Sequence, residues 1–390
     1  MVRTGLENLL ENQWQQLAGK RLGLLSNQAS TDRNLTHSRD CLLKTFGDQL
    51  TCLFSPQHGF FSEKQDNMIE SAHLIDPMSG LPLYSLYAES RRPSREMFEK
   101  IDVLLIDLVD VGTRVYTFLY TMAYCLEAAK EFGVSVLVLD RPNPIGGMEV
   151  EGNILEEQCL SFVGLFPIPM RHGMTFGELA LLVNDGFKTG AELEVVEMSG
   201  WQRSMAFEEC GLPWVFPSPN MPMPATAYVY PGQVIWEGTN ISEGRGTTLP
   251  FELVGAPFWQ HEPILEQLAK NDLPGVCFRP LVFEPTSGKW AGHPCTGFQL
   301  HVTDRKHFRP YRTSLALLQA AIVLYPDDFQ YKEPPYEYEY ERLPMDLILG
   351  SQQVRRDVEQ GRPISEIEAG WQKELDSFIS LRENHLLYRN

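Results

Sequence analysis

Apolar runs of five to eight residues alternate with helix-spaced segments through the first half of the chain. KRLGLLSN (20–27) is a short apolar run that ends in a polar turn, and QLTCLFSP (49–56) is another. IDVLLIDLVD (101–110) and VSVLVLDRPNP (134–144) are continuous apolar runs, which predicts strands covered on both faces. Between them lie SRDCLLKTFG (38–47) and TFLYTMAYCLEAAKEFG (117–133), with helical spacing and a terminal glycine. This rhythm predicts an α/β fold with a parallel sheet flanked by helices. From about residue 212 the texture changes. LPWVFPSPNMPMPATAYVYPG is proline-rich and aperiodic, and such a segment inside a compact chain is more often functional than passive. Beyond Pro250, TGFQLHVTD (296–304) reads as a strand and SLALLQAAIVLYP (314–326) as a helix, giving a second region of mixed α and β.

Ligands of parallel α/β sheets bind beyond the carboxyl ends of the strands. Those ends carry four polar clusters: Ser26-Asn27-Gln28, Ser55 to His58, Asp107 to Arg114, and Asp140 to Asn143. Asp107 and Asp110 stand where carboxylates can position hydroxyls or exchange protons. Arg114 and Tyr116 follow as candidates for an anion and a ring. In PMRHGMTFGELA, Arg171 and His172 precede a helix start, where anions are favoured. Thr175 and Glu178 form a capping-box pattern and are read as structural.

Composition narrows the field. A length of 390 residues suits two domains, and a 43% hydrophobic content supplies a substantial core. The net charge of −18 opposes nucleic acid and anionic membranes as partners. No run is long and apolar enough to span a bilayer. The N-terminus lacks an apolar leader core, which predicts a cytoplasmic chain unless an export signal was trimmed before Met1. Seven cysteines without a CxxC pair read as free thiols in a reducing compartment. GxGxxG, GxxxxGK[ST] and GxSxG are absent, so dinucleotide, P-loop and nucleophile-elbow readings lack their fingerprints. His58, Asp66, Asp107, Asp140 and His172 are possible hard-metal ligands, but no HExxH-like spacing joins them, and neither metal nor cofactor is expected.

Taken together, GLLSNQAS, SPQHGFF, SGLPLYSLYAESRRPS, IDVLLIDLVDVGTRVYT, VLDRPNPIGG, IPMRHGMTFGELA, PWVFPSPNMP and EGTNISEGRGTTLPFE resemble, in this order, the exo-β-N-acetylmuramidases of bacterial peptidoglycan turnover, long listed as a domain of unknown function. The resemblance runs from about residue 18 to beyond 300. It implies a Rossmann-like N-terminal domain carrying the catalytic centre (1–245) and a smaller, barrel-like α+β C-terminal domain that helps form the pocket (246–390). The implied reaction releases N-acetylmuramic acid from the non-reducing end of peptidoglycan-derived glycans, without a cofactor.

Many relatives read Ser-Pro-Glu-His-Gly where this chain has Gln57, and a glutamine is neither acid, base nor nucleophile. Two alternatives therefore stand beside the hydrolase: a catalytically weakened glycan-binding protein, and a metal-assisted hydrolase or deacetylase. Within the hydrolase reading, Glu63 is the expected general acid or base, with Glu70, Asp110 and Glu127 in reserve. The lactyl carboxylate of muramic acid calls for an arginine, from Arg114, Arg171 or Arg245. Tyr116 and Tyr230 are expected to stack on the pyranose. Asn27, Gln57, His58, Asn143, His172, Asn220, Asn240 and Glu243 are expected to contact its polar groups.

Overall fold

The structure is a computed structural model that describes residues 1–12, 15–66 and 68–389. Nine strands and five helices occupy the first lobe: α1 (Gly5–Asn12), β1 (Leu22–Ser26), α2 (Ser38–Phe46), β2 (Leu50–Ser55), β3 (Leu74–Ile75), β4 (Pro82–Ser85), α3 (Arg95–Phe98), β5 (Val103–Asp107), α4 (Phe118–Phe132), β6 (Ser135–Leu139), β7 (Glu151–Ile154), β8 (Pro169–Arg171), α5 (Phe176–Leu181) and β9 (Leu193–Val196). The main sheet has the order β3-β4-β2-β1-β5-β6-β9, parallel except for β3. Without the edge strand β3, this is the 3-2-1-4-5-6 order of a doubly wound Rossmann sheet.

The continuous apolar runs are explained by burial on both faces. Leu22, Leu24, Val103, Leu105, Leu137 and Leu139 pack toward α1 and α2. Their alternates Leu25, Leu104, Ile106, Val136 and Val138 pack toward α4 and α5, as a period of two requires. α2 begins where the His37 side chain accepts from the Arg39 amide, and α4 ends at Gly133 with φ 71°. The Thr175–Glu178 capping box is present at α5.

The second lobe contains α6 (Pro224–Gln233), β10 (Leu253–Ala256), α7 (His261–Leu268), β11 (Val276–Phe283), β12 (Cys295–Val302), α8 (Pro310–Leu324), α9 (Pro344–Leu349), α10 (Gln352–Glu359) and α11 (Ile364–Glu383). Its strands pair antiparallel in the order β10-β12-β11. The expected barrel-like shape is corrected here. Three strands cannot curve back to close, and β11 remains a largely solvated edge. One apolar core joins the lobes, with Phe118 and Met170 packed into the same cluster as Trp236, Tyr311 and Trp371. No helix among the described residues is long and apolar enough to cross a membrane.

Candidate active site

The strand-end clusters are polar and largely bonded within the chain, although Asp110 Oδ2, Arg171 Nε and His172 Nε2 are buried without a hydrogen-bond partner. Arg141 donates to both oxygens of Asp107 at 2.5 and 2.8 Å and to the Thr31 carbonyl. Asp140 accepts from Tyr388, Thr175, the Gly177 amide and the Arg141 amide, while burial pushes its carboxyl up to about 7. Asn27 donates to the Pro217 carbonyl and accepts from the Ala29 amide, and Asn143 bridges Met174 and Ile145. Arg114 is fully buried and donates to the carbonyls of Asn153, Ile168, Ile348 and Leu349. It fastens the first lobe to α9. Arg171 donates to the Ile145 carbonyl. His172 Nε2 lies 3.2 Å from Asp110 Oδ1, and Asp110 also accepts from the Gly112 amide.

A narrow cleft opens instead at the seam between the lobes. The turn after β2 delivers Gln57 and His58, the loop into α4 delivers Tyr116 and Thr117, and the proline-rich segment delivers Ser218 and Asn220. The second lobe adds Tyr230, Glu237, Arg245, Phe251, Tyr336 and Glu337. His58, Phe251 and Glu337 hold left-handed backbone conformations, with φ of 70°, 62° and 46°. Such strain in non-glycine residues persists only where the surroundings enforce it, and it clusters at working sites.

Two carboxyl groups face this space in contrasting environments. Glu337 accepts from Gln57 Nε2 at 2.9 Å and from the Tyr87 hydroxyl at 2.6 Å. Burial nevertheless raises it above the ordinary carboxylate range, and the Glu237 charge pushes the same way. Glu237 is equally deprived of water, but Arg245 at 2.5 Å and the Tyr336 hydroxyl at 2.7 Å outweigh that burial and hold it low. Behind it, Glu243 takes Lys289 at 2.8 Å and Arg245 at 3.3 Å. Neighbouring carboxyls whose environments push their pKa values apart mark an acid and its ionised partner.

Gln57 is held in one orientation. Thr117 donates to its carbonyl at 2.5 Å, which directs its amide nitrogen to Glu337. Burial drops His58 to about 4, so the ring is neutral. With Nδ1–H donated to the Lys64 carbonyl at 2.7 Å, its Nε2 is left as an acceptor.

Of the residues expected from sequence, the cleft brings together Gln57, His58, Tyr116, Asn220, Tyr230 and Arg245. Glu243 stands behind Arg245, and Asn240 is spent on the backbone of Asp328 and Gln330. Asn27, Asp110, Arg114, Asn143, Arg171 and His172 lie in the strand-end clusters outside the cleft lining. The three expected acids on the surface also lie outside it. Glu63 is exposed and folds back over Gly59, where an added Cβ would lie 2.7 Å from its oxygens. Glu70 is exposed, and Glu127 points outward from α4, 3.9 Å from Arg92.

Glu237 and Glu337 were not among the expected acids. The signal lay in two stretches, WEGTNISEGRG and EPPYEYEYE, where acids alternate with glycines or tyrosines. Among the described residues no group of three or more His, Cys, Asp or Glu side chains could hold a metal ion.

A Rossmann sheet with two carboxyls of contrasting environment in an interlobe cleft suits a glycoside hydrolase. The chain belongs to the exo-β-N-acetylmuramidase NamZ family: the family's N-terminal model matches residues 22–225 and its C-terminal model residues 228–388. It is 45% identical over 387 residues to the peptidoglycan β-N-acetylmuramidase NamZ of Bacillus subtilis (strain 168), covering 99% of this chain and 91% of that one. Two solved DUF1343 family proteins from Bacteroides fragilis NCTC 9343 share the fold. One has a TM-score of 0.89 at 34% identity and the other 0.78 at 30%, each covering 100% of this chain and 99% of its own.

Proposed function

We propose that this protein is an exo-acting β-N-acetylmuramidase that releases N-acetylmuramic acid from the non-reducing end of peptidoglycan-derived glycans. The observation that carries this reading is the near full-length match to a relative with that activity, met by a cleft holding Glu237 and Glu337. Glu337 is the general acid. Its raised pKa keeps a proton for the glycosidic oxygen, and the Gln57 and Tyr87 donors fix the direction in which its carboxyl points. Glu237, kept ionised by Arg245, supplies negative charge to the oxocarbenium-like transition state. Tyr116 and Tyr230 offer ring surface, and His58 Nε2 accepts from a sugar hydroxyl. In this reading Gln57 is no lost catalyst but the group that orients one.

Turnover of a chromogenic β-N-acetylmuramide, with the matching N-acetylglucosaminide as control, tests it. Release from the muramide alone is the expected result. Preference for the glucosaminide, or tight muramide binding without release, would overturn the assignment.

A further inference from the structure

N-acetylmuramic acid differs from N-acetylglucosamine by a lactyl ether that ends in a carboxylate. A site that selects it needs a cation whose charge is still available. Arg114 donates to four backbone carbonyls, and Arg171 donates to the Ile145 carbonyl, lies beside Glu151 and stands outside the cleft lining. Arg245 is balanced by Glu237 and Glu243, and Lys289 is committed to Glu243 and to the carbonyls of Trp236 and Ile241. A carboxylate entering beside Arg245 would also meet Glu237.

We infer that Arg91, which nothing in the sequence singled out, binds the substrate's lactyl carboxylate; the inference rests on the muramidase reading. Its guanidinium lies 3.8 Å from the Tyr338 ring centroid, 4.9 Å from Phe162 and 5.3 Å from Tyr87. Arg91 stands just behind the cleft lining on the Glu337 side, where its charge lowers the Glu337 carboxyl and its ring partners Phe162 and Tyr338 adjoin the lining residues Val163 and Glu337. Among the described residues its guanidinium makes no ion pair or hydrogen bond, and its Nε is buried without a partner. Glu70 is near Tyr338 but does not pair with Arg91. Its sequence neighbour Arg92, by contrast, is paired with Glu131 and Glu127 on the surface.

An arginine held by its faces keeps its edges, with five N–H donors, for a planar acceptor. Aromatic faces orient a guanidinium without neutralising it. Arg91 is half-buried, and its charge is oriented rather than neutralised by the rings around it, which leaves it able to make a charge-assisted bidentate contact.

The test is a cycle between protein and substrate. Wild type, Arg91→Gln and Arg91→Lys are assayed on a chromogenic β-N-acetylmuramide and on its lactyl methyl ester, with thermal melting to confirm folding. Arg91→Gln is expected to raise KM for the acid by about tenfold or more, as loss of a charge-assisted pair should, and to leave the ester at its wild-type value. Arg91→Lys, which keeps the charge without the fork, should fall between on the acid. Equal losses on acid and ester would make Arg91 a packing residue and overturn the inference, as would no loss on the acid. A wild type that releases neither sugar would overturn the muramidase reading itself and this inference with it.

Discussion

At the carboxyl ends of β5 and β6, Asp107, Asp110 and Asp140 sit with Arg141, Arg114 and His172. In the seam cleft, Glu237 and Glu337 sit with Arg245, Gln57 and His58. The residue types are nearly the same, and both groups are buried. The difference lies in what faces them. At the strand ends the charged groups are mostly bonded within the chain: Arg114 donates to four carbonyls, and Asp140 gathers four donors. In the cleft the carboxyls are supported from behind by protein and line the space between the lobes. Polar residues at the strand ends of a Rossmann sheet can thus be mortar, while the proposed catalytic pair comes from another lobe.

The largest expected effect separates the two regions by activity. Glu337→Gln and Glu237→Gln should each lower kcat/KM per folded molecule by roughly 10² to 10⁴. A loss under tenfold for both would return the catalytic role to other acids.

The strand-end region should respond in the opposite way. Asp107→Ala strands Arg141 in the interior and should cost about 3–5 kcal/mol of stability, read by urea unfolding. Turnover per folded molecule should be retained. An equal loss of turnover would place the switch-point cluster in the mechanism after all.

The cleft pair also predicts a pH profile. Glu237 must be ionised and is held below the ordinary range, and Glu337 must be protonated and is held above it. The kcat/KM profile should therefore be a bell, with its acid limb at Glu237 and its alkaline limb at Glu337. Gln57→Glu would replace the amide donor 2.9 Å from Glu337 with a second carboxyl. Two such groups resist joint ionisation, so the alkaline limb should move to higher pH. An unmoved limb would mean that Glu337 is not the acid.

Least should happen on the outer surface. Glu127 has 48% of its side chain exposed and a 3.9 Å contact with Arg92. Glu127→Ala should change stability by less than about 1 kcal/mol and leave kcat/KM unchanged within error.

Much of the first lobe was legible along the chain. The apolar runs at 20–27, 49–56, 101–110 and 134–144 became β1, β2, β5 and β6, because burial on both faces leaves no polar position inside them. The capping box was legible because it is closed within four residues. The site was only half legible. Gln57, His58, Tyr116, Asn220, Tyr230 and Arg245 stood in recognisable motifs. Glu337 lies 280 positions from its Gln57 partner, and no local pattern announces such a pairing. Glu63, Glu70 and Glu127 are exposed and lie outside the cleft lining.

What the amino-acid order determined by itself is the set of elements and their buried faces, since periodicity and caps act over a few residues. It also determined the family, through motifs that survive in order. What only the tertiary structure decided is which polar groups are spent and which are left to act. Arg114 and Arg91 are the same side chain in equally suggestive surroundings. One meets four carbonyls and the other meets three aromatic faces, because hydrogen-bond capacity is used up by neighbours that the fold brings from far along the chain.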